Sequence, residues 1–416
     1  MVLISFLSSN DLFSPLKLYL FALLLNFLNI FIDDYNNQVN FIYFLYVTCG
    51  YLFFIIEILC LKKKRYYPLI SINISFIKLN AIVWGLSIIP ILANLYIIHY
   101  CGGFENYFKI IALRVERFSG LGHIIIFKQL ILPLNLIYFL ILFKKYGFNL
   151  FNFNLYALHL TLVIINGLLS GSRGASLVIF VYLIVVFNIC FKRLKVIHVF
   201  SPVLVLLIIS SYLGDVRDNS NYSTINFKTN VDKTVLETIS STKTFSYGLY
   251  PLKFITDSEF TDLQYGTTLL SAATIYIPKN LWPEKLLTGG QVLTGWKSKR
   301  SFHNYSSTMN YSPGLFTELI LNFGYFYGVF LFFIILISCF LFVCYIYNHI
   351  SQYKLLDTKS LIILCFYLQI YMWPGGFLVG EFTTMTKGAI INLFFFLFII
   401  ILFKVKYNVW NIRILR

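Results

Sequence analysis

From Leu319 to Asn348 the chain carries no charged side chain. A helix over that stretch has no polar face to turn toward water, and a bilayer core takes about 20 apolar residues per helix. Comparable runs recur along the chain. The spans read as 13–32, 40–61, 80–100, 123–143, 153–170, 174–191, 196–214, 318–347, 359–379 and 388–404. Of the 416 residues, 58% are hydrophobic and 12% charged, against roughly 45–50% and 25% in a soluble domain. There is too little polar surface for a water-facing exterior. The expectation is an all-α polytopic membrane protein with about ten transmembrane helices. The eighth span is long enough to be tilted or bent, and the fifth and sixth form a tight hairpin around Gly171. The first span ends without a small-residue cleavage site, so it reads as a retained helix rather than a signal peptide.

The net charge is +16, and its placement decides what it means. Basic clusters follow the even-numbered spans: Lys62, Lys63, Lys64 and Arg65; Lys144 and Lys145; Lys192, Arg193 and Lys195; Lys404, Lys406, Arg413 and Arg416. Lys354 and Lys359 do the same, weakly, after the eighth span. This is the positive-inside pattern, with both termini cytoplasmic, and not a nucleic-acid surface. The outer loops are then 33–39, 101–122, 171–173, 215–317 and 380–387. The organisation reads as helices one to seven in 1–214, a large outer loop in 215–317, and helices eight to ten with a cytoplasmic tail in 318–416. Within the loop, polar helical stretches are expected around 231–243 and 266–277. Pro278, Trp282 and Pro283 then suggest a turn anchored at the interface.

Seven cysteines stand at 49, 60, 101, 190, 339, 344 and 365, none in the large loop and none in a CxxC pair. They read as small apolar packing residues, with no disulfide framework and no metal site. No P-loop, DxD pair or other cofactor signature occurs. Membrane lipids are the one partner that composition alone requires.

A few polar residues fall where lipid makes them costly. Arg173, within Ser170-Gly171-Ser172-Arg173-Gly174-Ala175, sits at the outer end of a helical hairpin. Small neighbours and the free N–H groups of a helix start favour an anion there, while an arginine snorkelling to headgroups is the plainer account. Arg217 lies between Asp215 and Asp218 at similar depth, where it could pair locally or join Arg173 on a diphosphate. His303 is the one histidine of the large loop and suits proton transfer; it could equally be a solvated loop residue. The adjacent Lys299 and Arg300, with Asn304 and Tyr305 on its other side, make an anion site or simply mark a solvated basic turn. Glu318 and Asn322, at i and i+4, share a helical face; Glu318 reads as an arginine partner or an N-terminal helix charge. Arg114 and Arg117, placed outside against the charge bias, are further diphosphate or lipid contacts, and Lys128 is another candidate. His159 reads as a hydrogen-bonded packing residue.

Three stretches carry a resemblance: Gly171-Ser172-Arg173-Gly174-Ala175 opening a helix; Tyr265-Gly266-Thr267 running to Ile277-Pro278-Lys279-Asn280-Leu281-Trp282-Pro283-Glu284-Lys285; and Gly314 through Gly328, with Glu318, Asn322, Phe323 and Gly324 at its centre. In this order, with a large outer loop late in a multi-helix chain, the sequence resembles the oligosaccharide repeat-unit polymerases of bacterial O-antigen synthesis. These share a wider family with the O-antigen ligases.

The resemblance implies a lipid-donor, GT-C-like glycosyltransferase in the bacterial inner membrane, its active site facing the periplasm. It would transfer a growing glycan from undecaprenyl diphosphate to the terminal sugar of a lipid-linked repeat unit, inverting and without metal. The donor and acceptor lipids would be its substrates, with a chain-length regulator and a flippase as partners and no nucleic acid. By motif, Arg173 and Arg217 would grip the donor diphosphate. His303 resembles the His-Asn of the ligase branch, although the pattern around it is not intact here, and Glu318 competes for the role of base. Loop aromatics, including Trp282, Trp296 and Tyr305, could stack on sugars or anchor the loop. The alternatives are a ligase or a lipid-linked oligosaccharide flippase.

Overall fold

A computed structural model describes residues 5–9, 11–31, 35–61, 66–110, 118, 120–170, 173–195, 248–257, 262–277, 281–297 and 312–404. The described chain is helical apart from one two-stranded pairing. In order come α1 (Ser5–Ser8), α2 (Pro15–Phe27), α3 (Asn37–Cys60), β1 (Leu69–Ile70), α4 (Phe76–Tyr100), α5 (Phe104–Ile110), α6 (Gly122–Lys128) and α7 (Ile131–Tyr146). Then follow α8 (Leu150–Leu168), α9 (Arg173–Cys190), α10 (Leu249–Asp257), α11 (Thr267–Thr274), α12 (Gly289–Lys297) and α13 (Gly314–Ser351). The chain ends with β2 (Leu355–Leu356), α14 (Thr358–Ile370), α15 (Trp373–Gly376) and α16 (Phe382–Lys404).

Six stretches among the described residues are long and apolar enough to cross a bilayer: Asn37–Cys60, Phe76–Tyr100, Gly122–Tyr146, Leu150–Leu168, Gly314–Ser351 and Phe382–Lys404. Pro15–Phe31 and Val178–Cys190 are shorter apolar helices. The expected seventh span, 196–214, lies outside the described residues.

The basic ends gather at one end of the bundle. Lys145 donates to the carbonyls of Ile72 and Ile74 at 2.9 and 2.8 Å, and Lys144 to that of Cys190 at 2.5 Å. Lys78 donates to Phe403 at 2.9 Å. There β1 pairs in parallel with β2, Leu69 facing Leu355 and Ile70 facing Leu356.

Inside the bundle, α4, α7 and α8 share a polar relay. Tyr156 donates to Asn135 Oδ1 at 2.8 Å, and Asn135 Nδ2 lies 2.9 Å from His159 Nδ1. His159 Nε2 lies 2.9 Å from Ser87 Oγ, which donates to Val83 O at 2.7 Å. With the Asn135 amide fixed by Tyr156, its NH₂ donates to Nδ1, so Nε2 carries the imidazole proton. His159 is fully buried and hydrogen-bonded, the packing role expected of it.

Four spans differ from their sequence reading. The eighth does not bend; it turns back on itself. Gly324 has φ +78°, and a Cβ on Gly328 would lie 2.8 Å from Ile320 Cα and N. In a straight helix those two residues are far apart, so arm 314–323 packs antiparallel against 325–351. Phe316 and Phe332 confirm the pairing, with centroids 5.2 Å apart, and Tyr46 of α3 touches both rings. Only glycine takes the turn cheaply, and only glycine lets the two backbones meet so closely. Hydropathy misses this because both arms are apolar.

The ninth and tenth spans are displaced. α14 stops at Ile370, the chain passes through α15, and α16 begins at Phe382, inside what reads as an outer loop. Pro374 and the Gly375-Gly376 pair end the helix although the sequence stays apolar. This irregular backbone is tolerated at depth because it is packed in protein: Pro374, Gly375, Phe377, Leu378 and Glu381 are buried. The fourth span breaks into α6 and α7 at Gln129–Leu130.

Candidate functional site

Arm 314–323 of α13 is where the segment around α11 and α12 meets the helix bundle. Its last carbonyls, which a helix end leaves unbonded, accept from the loop: Gln264 N–H reaches Leu321 O at 2.9 Å and Tyr265 N–H reaches Asn322 O at 3.0 Å. Asn322 turns the same contact into a side-chain joint. Its Oδ1 accepts from Gly266 N–H at 2.8 Å, and its Nδ2 donates to Thr268 Oγ1 at 2.6 Å and Glu318 O at 2.7 Å. At the other end, Leu315 N–H donates to Phe377 O at 2.9 Å, and Ser312 Oγ to Val379 O at 2.6 Å. The arm is thus held by the loop at one end and by the broken segment before α16 at the other.

Glu318 lies between these anchors with no exposed surface. Its Oε1 accepts from the Thr268 hydroxyl at 3.0 Å and its Oε2 from the Phe382 N–H at 2.7 Å. Glu381, 4% exposed, accepts from Gly290 N–H and the Thr384 hydroxyl, each at 2.5 Å. Phe382 opens α16, Gly290 lies in the first turn of α12, and Thr268 in the first turn of α11. Two helix N-termini and one first-turn hydroxyl therefore converge on two buried carboxylates. Their free N–H groups and positive dipole ends compensate charge that burial would otherwise make costly. Among the described residues no third His, Cys, Asp or Glu joins the pair as a metal-holding group.

The local sequence builds this joint. Thr288 and Gln291 form a capping box at the start of α12: Thr288 N–H donates to Gln291 Oε1 at 3.0 Å, and Gln291 N–H to Thr288 Oγ1 at 3.4 Å. The glycine pair that follows lets the helix approach. A Cβ on Gly289 would stand 3.0 Å from Glu318 Cγ, Cδ and Oε1. The expected loop helix at 266–277 is present as α11.

Of the residues singled out from the sequence, Glu318 and Asn322 are brought together, with Glu318 engaged by the protein's own donors. Arg173 opens α9 beside the end of α8, as expected, but its side chain lies outside the described residues. So do Arg114, Arg117, Arg217, Lys299, Arg300, His303, Asn304 and Tyr305. Lys128 is 7% exposed and its ammonium reaches Leu169 O at 3.5 Å, at the end of α8. Trp296 packs edge-on against Phe254, centroids 5.0 Å apart, as a loop-anchoring contact; Trp282 is 39% exposed. Sequence reasoning passed over Glu381 and Thr268. Glu381 had a readable signal, an isolated carboxylate between two apolar runs, whereas Thr268 had none.

No family model matches the chain, and neither does any curated protein or solved structure.

Proposed function

We propose that the chain is an O-antigen polymerase of the bacterial inner membrane. It has about ten spans, cytoplasmic termini and a periplasmic active site. The observation that carries the reading is the joint around Glu318. A polar outer loop is bonded into an apolar helix bundle through buried side chains, so that loop and membrane face act as one surface. Such a surface suits a reaction between two lipid-anchored molecules, whose reacting sugars lie just above the headgroups. The three stretches that resemble the polymerases include both sides of this joint, Tyr265 onward and Gly314 to Gly328.

In the reaction, the acceptor hydroxyl attacks the anomeric carbon of the donor sugar. The bond to the undecaprenyl diphosphate breaks with inversion, and the hydroxyl proton passes to a base. Arg173 and Arg217 neutralise the departing diphosphate, with the guanidinium fork replacing a metal ion. We assign the base to His303 and the positioning of the loop to Glu318, because both Glu318 oxygens already accept bonds. Arg114, Arg117, Lys299, Arg300, Asn304 and Tyr305 contribute to phosphate and sugar binding. A chain-length regulator and a flippase act alongside it.

A flippase is the second reading, favoured by the interruption between α14 and α16 and by the hairpin at Gly324, since discontinuous helices are common in transporters. Deleting the gene and running the host's lipopolysaccharide on a gel separates the readings. A ladder collapsing to core plus one repeat unit supports the polymerase. Core with no repeat unit means a ligase or flippase.

A further inference from the structure

A transfer between two diphosphate-linked lipids needs two anion sites, and the arginines above serve one. The end of α11 presents another pair of cations. Lys285 donates to the carbonyls of Ile275 and Ile277, at 3.4 and 3.1 Å. On the same turn the Tyr276 hydroxyl reaches the Lys387 carbonyl at 3.5 Å. Lys285 and Lys387 thus flank residues 275–277. Both are half-buried. Among the described residues no side-chain or backbone acceptor takes the Lys387 ammonium. Two part-buried cations beside one turn are costly unless an anion joins them.

Their depth is that of a headgroup. Lys387 stands roughly 25 Å along α16 from Lys404 at the basic end, by helical rise, close to the thickness of a bilayer's hydrocarbon core. Beside it the loop exposes Tyr276, Leu281 and Trp282, at 37, 78 and 39%. Exposed aromatic and aliphatic side chains of this kind settle in the interface.

We propose that Lys285 and Lys387 hold the diphosphate of the second lipid-linked substrate, the acceptor, beside the Glu318 joint. The inference rests on the polymerase reading for the identity of the lipid, and the lysine geometry itself is independent of it.

Native mass spectrometry of the detergent-solubilised full chain, with undecaprenyl diphosphate as the probe, counts bound lipids. The wild type is expected to hold two, Lys387→Gln and the Lys285→Gln/Lys387→Gln pair one, and the corresponding Arg pair two again. An unchanged count in the Gln variants overturns the proposal. Displacement of the lysine-dependent lipid by equimolar phosphatidylglycerol also overturns it, because the site would then be an ordinary headgroup contact. A thermal melt run in parallel tells lost binding from unfolding; Lys387→Gln, which breaks no side-chain bond among the described residues, is expected to melt as the wild type does. Lysine-dependent binding of the diphosphate lipid in a chain whose deletion leaves the ladder intact would keep the site and remove the polymerase reading.

Discussion

Glu318 Oε2 accepts the backbone N–H of Phe382 at 2.7 Å, across 64 residues of sequence. The bond ties the re-entrant arm to the first turn of α16, while Oε1 ties it to the loop through Thr268. Glu318→Ala strands a buried N–H and a buried hydroxyl and removes a charge facing a helix N-terminus. The expected loss is about 2–4 kcal/mol. Glu318→Gln keeps one acceptor but opposes an NH₂ to the other donor, and loses about 1–2 kcal/mol. Thermal unfolding of the purified chain in detergent checks the order wild type, Gln, Ala. Equal melting temperatures for all three would show that the joint does not hold the loop.

The hairpin predicts a steric failure. With Ile320 backbone atoms 2.8 Å from an added Cβ, Gly328→Ala should cost about 1–3 kcal/mol and Gly328→Leu more, by forcing the arms apart. Gly85 in α4 has open space around its Cβ position, so Gly85→Ala should be neutral or stabilising by up to about 1 kcal/mol. Size-exclusion profiles after heating distinguish the variants. A Gly328→Leu protein as heat-stable as Gly85→Ala would mean that the arms do not pack as described.

The bilayer, the spacing of most helices and the clustering of basic ends were legible because they depend on composition, which lipid reads residue by residue. Leu319 to Asn348 announced apolar helix, yet Gly324 turned it back, and a lone glycine in an apolar run carries no sign of which way the chain goes. The same holds for Pro374 and Gly375, whose irregular backbone is stable only because α2 and the re-entrant arm cover it. At the site, the i, i+4 spacing exposed Glu318 and Asn322 as a pair. Their partners Gly266, Thr268 and Phe382 come from two distant segments, and that convergence is a property of packing alone.

Asp357 offers a pH-dependent test at the basic end. It caps α14, its Oδ1 accepting the Ser360 N–H at 2.8 Å and the Ser360 hydroxyl at 2.7 Å. These bonds, the backbone one first, hold its carboxyl below the usual range. A depressed carboxylate stabilises the fold above its unfolded value, about 3.9, and loses that contribution as pH falls through the lower folded value. Asp357→Ala should therefore cost about 1 kcal/mol at neutral pH, with the difference from wild type shrinking below about pH 4. Melting temperatures of both proteins across that range check the sign. A gap that widens on acidification would contradict it.

The arginines carry the proposed chemistry and predict the sharpest loss. Arg173 opens α9, where helix N–H groups add to its charge, and Arg217 follows the expected seventh span at similar depth. If both counter the leaving diphosphate, Arg173→Ala and Arg217→Ala should each reduce polymerisation by about 100-fold or more, the scale of removing one donor from a developing negative charge. Membrane levels of the protein should stay normal. The Lys substitutions keep the charge but lose the two-point grip on phosphate oxygens, so they should give shortened ladders rather than none. Complementing the deletion strain with each variant and comparing ladder length with an immunoblot of the membrane fraction reads both quantities at once. A full ladder from either alanine variant removes that arginine from the mechanism. Wild-type ladders from the lysine variants would mean that charge alone, and not the guanidinium fork, is what the diphosphate requires.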